Sequence, residues 1–228
     1  MAKTVERQYE GHFELKEKQG LTRLGVEKNA NWHGDPKRLV FVLSRYKFVA
    51  KMLSGKRRVL EVGCGDAFPV RIVLQEVGEL HAVDIDPLFI GDARERADPK
   101  WPFTCAVHDM LSGPVAGSFD GAYSLDVLEH IEADSEHRFL DNLLASLTPD
   151  GVLIIGMPSL ESQAHAAPLS KIGHINCKPG PALKALMLEY FENVFMFSMN
   201  DEVVHTGYQP MAQYLFAVCA GKRRRGGA

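Results

Sequence analysis

Cysteine is scarce in this chain, and its placement excludes two classes of protein. The four residues Cys64, Cys105, Cys177 and Cys219 stand far apart and form no CxxC pair. Neither a cysteine-based zinc site nor a disulfide scaffold is therefore expected, and free thiols in a reducing cytosol are the reading adopted. Long apolar runs are missing as well: none approaches the ~20 residues that cross a bilayer. The first residues, with Lys3, Glu6, Arg7 and Glu10, lack the apolar core of a secretory leader. A cytoplasmic chain with no membrane partner is the expectation. Charge of one sign is not in excess either, at a net −3, which gives no general pull toward nucleic acid. The basic run Lys222-Arg223-Arg224-Arg225 ends in glycines and reads as a solvated tail. The 228 residues suffice for one sizeable domain.

What is present centres on Val59-Leu60-Glu61-Val62-Gly63-Cys64-Gly65-Asp66. Val59, Leu60 and Val62 suit a parallel strand covered on both faces. Gly63 and Gly65 allow a tight turn against which a ligand can press. The residues from Asp66 to Gly78, with Phe68, Val70, Ile72, Val73, Leu74 and Val77, predict a packed helix, and a strand–turn–helix edge of this kind binds nucleotides. The dinucleotide fingerprint fails, because Phe68 stands where its third glycine belongs. Glu61, inside the strand, is a poor neighbour for a pyrophosphate and a good one for a cation. Asp84 ends a second apolar strand, Leu80-His81-Ala82-Val83, where a carboxylate accepts hydrogen bonds from a ribose diol. Together these features fit an adenosyl sulfonium better than NAD.

These residues, with Ala82-Val83-Asp84-Ile85-Asp86, His108-Asp109-Met110, Phe119 to Ile131 and Leu147-Thr148-Pro149-Asp150-Gly151-Val152-Leu153-Ile154, resemble the class I S-adenosylmethionine-dependent methyltransferases in order and interval over roughly residues 55–160. The resemblance implies an α/β Rossmann-like three-layer sandwich with a seven-stranded, mostly parallel sheet of order 3-2-1-4-5-7-6, the last strand antiparallel. It implies S-adenosyl-L-methionine as cofactor and S-adenosyl-L-homocysteine as product. The cofactor-binding positions it carries over are Glu61, Gly63, Cys64, Gly65, Asp84, Ile85, Asp109, Met110 and Leu125. Asp109 takes the place of the acid that faces the adenine amino group in the family.

The remaining chain divides into an N-terminal helical cap (1–54), the methyltransferase domain (55–221) and the tail (222–228). Asn31-Trp32-His33-Gly34-Asp35-Pro36 reads as a turn before a helix over Arg38 to Leu53, whose basic residues Lys37, Arg38, Arg45, Lys47 and Lys51 suit either solvent or an anionic substrate group. Glu136 to Leu147 reads as an amphipathic helix, Val152 to Ile155 as the fifth strand, Pro181 to Phe191 as a helix, and Asn193 to Ser198 and Gln213 to Ala220 as the last two strands. Residues 159–181 form a long loop without periodicity, the kind that is more often functional than idle. His130, His174 and His205 are the candidate catalytic bases, each in a polar stretch placed beyond a strand end. His165, His174 and His205 with Asp201 follow no ligand spacing, and no metal is expected. The chain is expected to methylate a small-molecule acceptor, on oxygen, in glycan or secondary-metabolite tailoring. The alternatives are a non-catalytic adenosyl-binding partner subunit or a protein or RNA methyltransferase. The Asn/Asp-Pro-Pro-Tyr/Phe element of many amino-group and base methylators is absent, and a homodimer is left open.

Overall fold

The computed structural model describes residues 4–223. Helix α1 (Glu10–Gln19) is mostly polar, leaves Phe13 and Leu15 exposed and buries none of its residues. Helix α2 (Val26–Gly34) takes in most of the segment expected to be a turn. The break falls later, at Asp35, whose extended backbone (φ −149°, ψ 90°) satisfies the restriction that a following proline imposes. Pro36 then opens α3 (Pro36–Met52), a position where its missing N–H costs nothing. Leu39, Val42, Tyr46, Val49 and Ala50 form the buried stripe of α3 at helical spacing.

Strand β1 (Arg58–Val62), helix α4 (Val70–Leu74), strand β2 (Glu79–Asp84), helix α5 (Pro87–Glu95), strand β3 (Thr104–Val107) and strand β4 (Phe119–Leu125) follow in alternation. Next come α6 (Glu136–Ala145), β5 (Leu147–Pro158), α7 (Pro168–Gly173), α8 (Gly180–Leu188), β6 (Phe191–Asn200), β7 (Val203–His205) and β8 (Tyr214–Lys222). The helix expected over Asp66 to Gly78 shrinks to the five residues of α4. Pro69 lacks an N–H for the ladder, and the Asp66 side chain accepts the Phe68 N–H at 3.1 Å, so the chain turns locally before it coils. The expected loop 159–181 is also more ordered than its composition implied: a short 3-10 turn (Glu161–His165) and α7 lie within it.

The strands form one sheet of order β3-β2-β1-β4-β5-β8-β6-β7. β1 to β5 pair in parallel, and β8 runs antiparallel between β5 and β6. The order of the seven expected strands is thus preserved, with one addition. The added strand is β7, three residues paired antiparallel with β6 at the sheet edge. Asp201, at φ 51°, makes the tight turn into it. Apolar side chains cover both faces. Leu60 and Val62 join a core with α6 and α8, whereas Val59 joins the one with α3, α4 and α5. By the two-residue alternation of a strand, Glu61 points to the α3 side. No helix among the described residues is long and apolar enough to cross a membrane.

Candidate active site

A cavity of about 700 Å³ opens at the C-terminal ends of β1, β2 and β4, the edge where open α/β sheets bind ligands. Its floor is the glycine turn. Gly63 (φ 78°) and Gly65 (φ 51°) both adopt the left-handed conformation, and a Cβ on Gly63 would come within 2.1 Å of the Val127 side chain. The turn is braced by Asp84: one carboxylate oxygen accepts the Gly65 N–H at 2.7 Å and the other the Asp86 N–H at 2.9 Å. Each oxygen keeps a lone pair for a further donor. Because α4 starts only at Val70, the turn presents loop backbone and the Asp84 carboxylate to the cavity, not a helix end.

Of the cofactor positions carried over from the family, Gly63, Cys64, Gly65, Asp84, Ile85, Asp109, Met110 and Leu125 all line this cavity. Glu61 does not. It lies beneath the turn, 1 % exposed, where the Tyr46 hydroxyl donates to it at 2.6 Å. Burial pushes the Glu61 carboxyl up to about 7, against the pull of that hydrogen bond. Asp109 also caps its own turn, accepting the Leu111 N–H at 2.8 Å.

Helices α2 and α3 close one side. The Lys28 N–H donates to Asp66 at 2.9 Å, and its ammonium, buried to 3 % exposure, pairs with Glu27 at 2.7 Å and with Asp66 at 3.6 Å. Glu27 and Lys28 thereby reach the glycine turn, and Arg38, Val42, Arg45 and Tyr46 of α3 line the adjoining wall.

The far end of the cavity carries the ionisable groups. Asp126, directly after β4, adopts φ 57°, a strained conformation for a residue with a side chain. Its carboxylate is held by Arg45 Nη1 at 2.7 and 3.0 Å, and the Arg45 guanidinium lies 3.8 Å from the centre of the Tyr214 ring. Three residues on, Glu129 is fully buried, and neither of its carboxylate oxygens has a hydrogen-bond partner among the described residues. Burial and the Asp126 charge push that carboxyl well above the usual range. His130 and His174 stand beside it, their rings 5.3 Å apart. Partial burial and the neighbouring His130 lower the His174 imidazole below its usual range. Their meeting has a backbone cause: the N–H groups of Ile175 and Asn176 both donate to the Glu129 carbonyl, stitching the segment after α7 to the segment after β4.

The third candidate base is not part of this group. His205 sits in the β6–β7 hairpin with both ring nitrogens engaged, Nε2 with Asn200 Oδ1 at 2.9 Å and Nδ1 with the Gly207 N–H at 2.9 Å. It does not line the cavity, and neither does His165. Sequence reasoning passed over Asp126, Glu129, Lys28 and the pairing role of Arg45. The acid-x-x-acid-His run 126–130 was visible, but the left-handed turn that aims it was not.

A family profile described as a methyltransferase domain matches residues 60–155. The fission yeast (Schizosaccharomyces pombe) mitochondrial ubiquinone biosynthesis O-methyltransferase is 28 % identical over 127 residues, covering 54 % of this chain and 45 % of the relative. Residues 60–155 are thus similar to a methyltransferase domain. The chain's match spans less than half the length of that curated relative. Among solved structures, N-methyltransferase NodS from Bradyrhizobium japonicum WM9 in complex with S-adenosyl-L-homocysteine is 19 % identical at TM-score 0.62, over 84 % of this chain and 90 % of that one. The plantazolicin methyltransferase BpumL, in complex with a monoazolic desmethylPZN analog and S-adenosyl-L-homocysteine, is 13 % identical at TM-score 0.63, over 95 % and 93 %. Likeness at that identity extends to the fold. The residues of this chain fit the cofactor that the resemblance implies: a glycine cradle that a Cβ would fill and a carboxylate set for a diol.

Proposed function

We propose that this chain transfers a methyl group from S-adenosylmethionine to an oxygen of a small-molecule acceptor. One observation carries the reading. The cofactor floor, Gly63 to Gly65 with Asp84, shares a single cavity with Asp126, Glu129, His130 and His174. S-adenosylmethionine, when bound, supplies an electrophilic methyl group. Asp84 holds a ribose diol, and the left-handed glycines let the ligand approach the backbone. The walls from α2 and α3 narrow the space so that the acceptor is aligned, and alignment of this kind lowers barriers by up to roughly 7–11 kcal/mol. A hydroxyl acceptor must also lose a proton. That proton is lost at the end of the cavity that Glu129, His130 and His174 line. Arg45 is paired with Asp126, and Arg38 lines the same wall as the cation that would meet an acceptor bearing an anionic group. The O-methyltransferase relative supports oxygen over nitrogen as the acceptor atom.

The test is an acceptor panel of phenols, catechols, hydroxy acids and sugars alongside primary and secondary amines, scored by mass for gain of one methyl. Oxygen-methylated products from the hydroxylic compounds alone are expected. Products from the amines alone would overturn the choice of oxygen. Firm binding of S-adenosylhomocysteine without turnover of any acceptor would point instead to a non-catalytic adenosyl-binding subunit.

A further inference from the structure

Glu129 poses a problem that the methyl-transfer reading leaves unsolved. A fully buried carboxyl with two unpartnered oxygens costs several kcal/mol unless something meets it. It faces the cavity beside two imidazoles, and ligand atoms of Glu129, His130 and His174 all lie within 4.8 Å of one another.

The imidazoles are prepared in a specific way. His130 Nδ1 lies 2.7 Å from the Gly173 carbonyl oxygen, which can only accept, so this nitrogen carries the proton. His174 Nδ1 lies 2.7 Å from Gln163 Oε1, and the orientation of that amide is fixed because its nitrogen donates to the Ser159 carbonyl at 3.1 Å. Both rings therefore keep a bare lone pair on Nε2, and His130 Nε2 is 4.0 Å from the Glu129 carboxylate. An imidazole anchored through one nitrogen to a carbonyl, with the other bare and turned to a carboxylate, is the arrangement that outer-shell groups impose on metal-binding histidines.

We infer that Glu129, His130 and His174 bind one divalent transition-metal ion at the acceptor end of the cavity. Two imidazoles and one carboxylate suit Mn²⁺, Fe²⁺, Co²⁺ or Zn²⁺ better than Mg²⁺ or Ca²⁺, which take oxygen ligands. At bond lengths of roughly 2.0–2.2 Å the three ligand atoms close to about 3 Å apart, a movement within the reach of side-chain rotation. Three protein ligands leave coordination positions open to the cavity, and those positions take oxygen donors from the acceptor. The expectation of no metal rested on His165, His174, His205 and Asp201. The fold separates that set and assembles a different one, joining a histidine after α7 to a Glu-His pair after β4. The ion site stands on side-chain geometry alone, whereas its role toward the acceptor oxygen rests on the methyl-transfer reading. As ligands, His130 and His174 commit the lone pairs that a general base would use, so the two roles exclude each other.

The experiment uses the full chain, stripped with EDTA, dialysed and titrated calorimetrically with Mn²⁺ and Co²⁺, the Co²⁺ complex also being read by visible absorption. One ion per chain is expected, with Mg²⁺ and Ca²⁺ weaker. Glu129→Gln and His174→Ala should each abolish or greatly weaken binding, and Gln163→Leu should weaken it roughly 10–100-fold, the range for an outer-shell partner. His205→Ala should leave it unchanged. Retained affinity for S-adenosylhomocysteine verifies that each variant is folded. Absence of Mn²⁺ and Co²⁺ binding, or binding that survives both Glu129→Gln and His174→Ala, overturns the site. Ion binding without turnover would keep the site and sink the methyl-transfer reading. Turnover by an EDTA-stripped chain that binds no ion would do the reverse.

Discussion

Asp84 and Glu61 are both carboxylates at the glycine turn after β1, and their surroundings give them opposite tasks. Asp84 lines the cavity and binds backbone N–H groups through both oxygens, so it is built to present a charge. Asp84→Ala should weaken binding of S-adenosylhomocysteine by about 1.5–3 kcal/mol in calorimetry, the range for hydrogen bonds to a charged group. An unchanged affinity would remove Asp84 from the site. Glu61 lies behind the turn, and burial raises its carboxyl from an ordinary 4.5 to about 7. Between those values the folded chain holds a proton that the unfolded chain releases. This contribution to stability is therefore complete below about pH 4.5 and is lost as pH rises through 7, a change on the order of 3 kcal/mol. Glu61→Gln keeps the shape without the charge. Between about pH 5.5 and pH 8 the melting temperature of the wild type should fall by more than that of Glu61→Gln. Parallel curves for the two proteins would show that Glu61 does not titrate in this window.

The latch between α2 and the glycine turn depends on close approach. Gly25 precedes α2, and a Cβ placed there would meet the Asp66 carboxyl at 2.3 Å. Its φ of −69° suits any residue, so Gly25→Ala changes packing and not backbone freedom. The collision should cost about 1–3 kcal/mol and displace Glu27 and Lys28 from the cavity wall. Weaker S-adenosylhomocysteine binding by a chain that still melts cooperatively is the expected result, and unchanged affinity would mean that α2 takes no part in the cofactor site. This element was only half legible in the sequence. Strands β1, β2 and β4 and the turn after β1 announced themselves because a buried parallel strand must be apolar and a tight turn must have glycine. The register of the N-terminal cap carried no such constraint: Lys28 looks like any solvated lysine until Asp66 is brought to it. The same holds at the acceptor end. His130 and His174 could be named as polar residues beyond strand ends, but their pairing follows from two backbone hydrogen bonds to the Glu129 carbonyl that no local pattern encodes. His205 had the same local appearance and lies elsewhere.

Across the whole molecule, the cavity is assembled from segments far apart in the chain: α2, α3, the ends of β1, β2 and β4, and the segment after α7. A ligand that bridges such segments binds the folded chain and finds no counterpart in the unfolded one. Its binding must therefore raise the stability of the fold as a unit. At a free concentration 100 times its dissociation constant, S-adenosylhomocysteine should add about 2.7 kcal/mol, which for a domain of this size raises the melting temperature by roughly 5–10 °C. Helix α1 buries none of its residues, so a chain lacking residues 4–20 should melt as the intact chain does and show the same rise. Asp84→Ala, compared at the same ligand concentration, should show a smaller rise than the wild type. If ligand broadened the transition or split it in two, the two helices over the cavity would be unfolding apart from the sheet. A single sharp transition that moves with ligand in both the intact and the shortened chain is the outcome expected of α2, α3 and the sheet acting as one cooperative body around the cofactor.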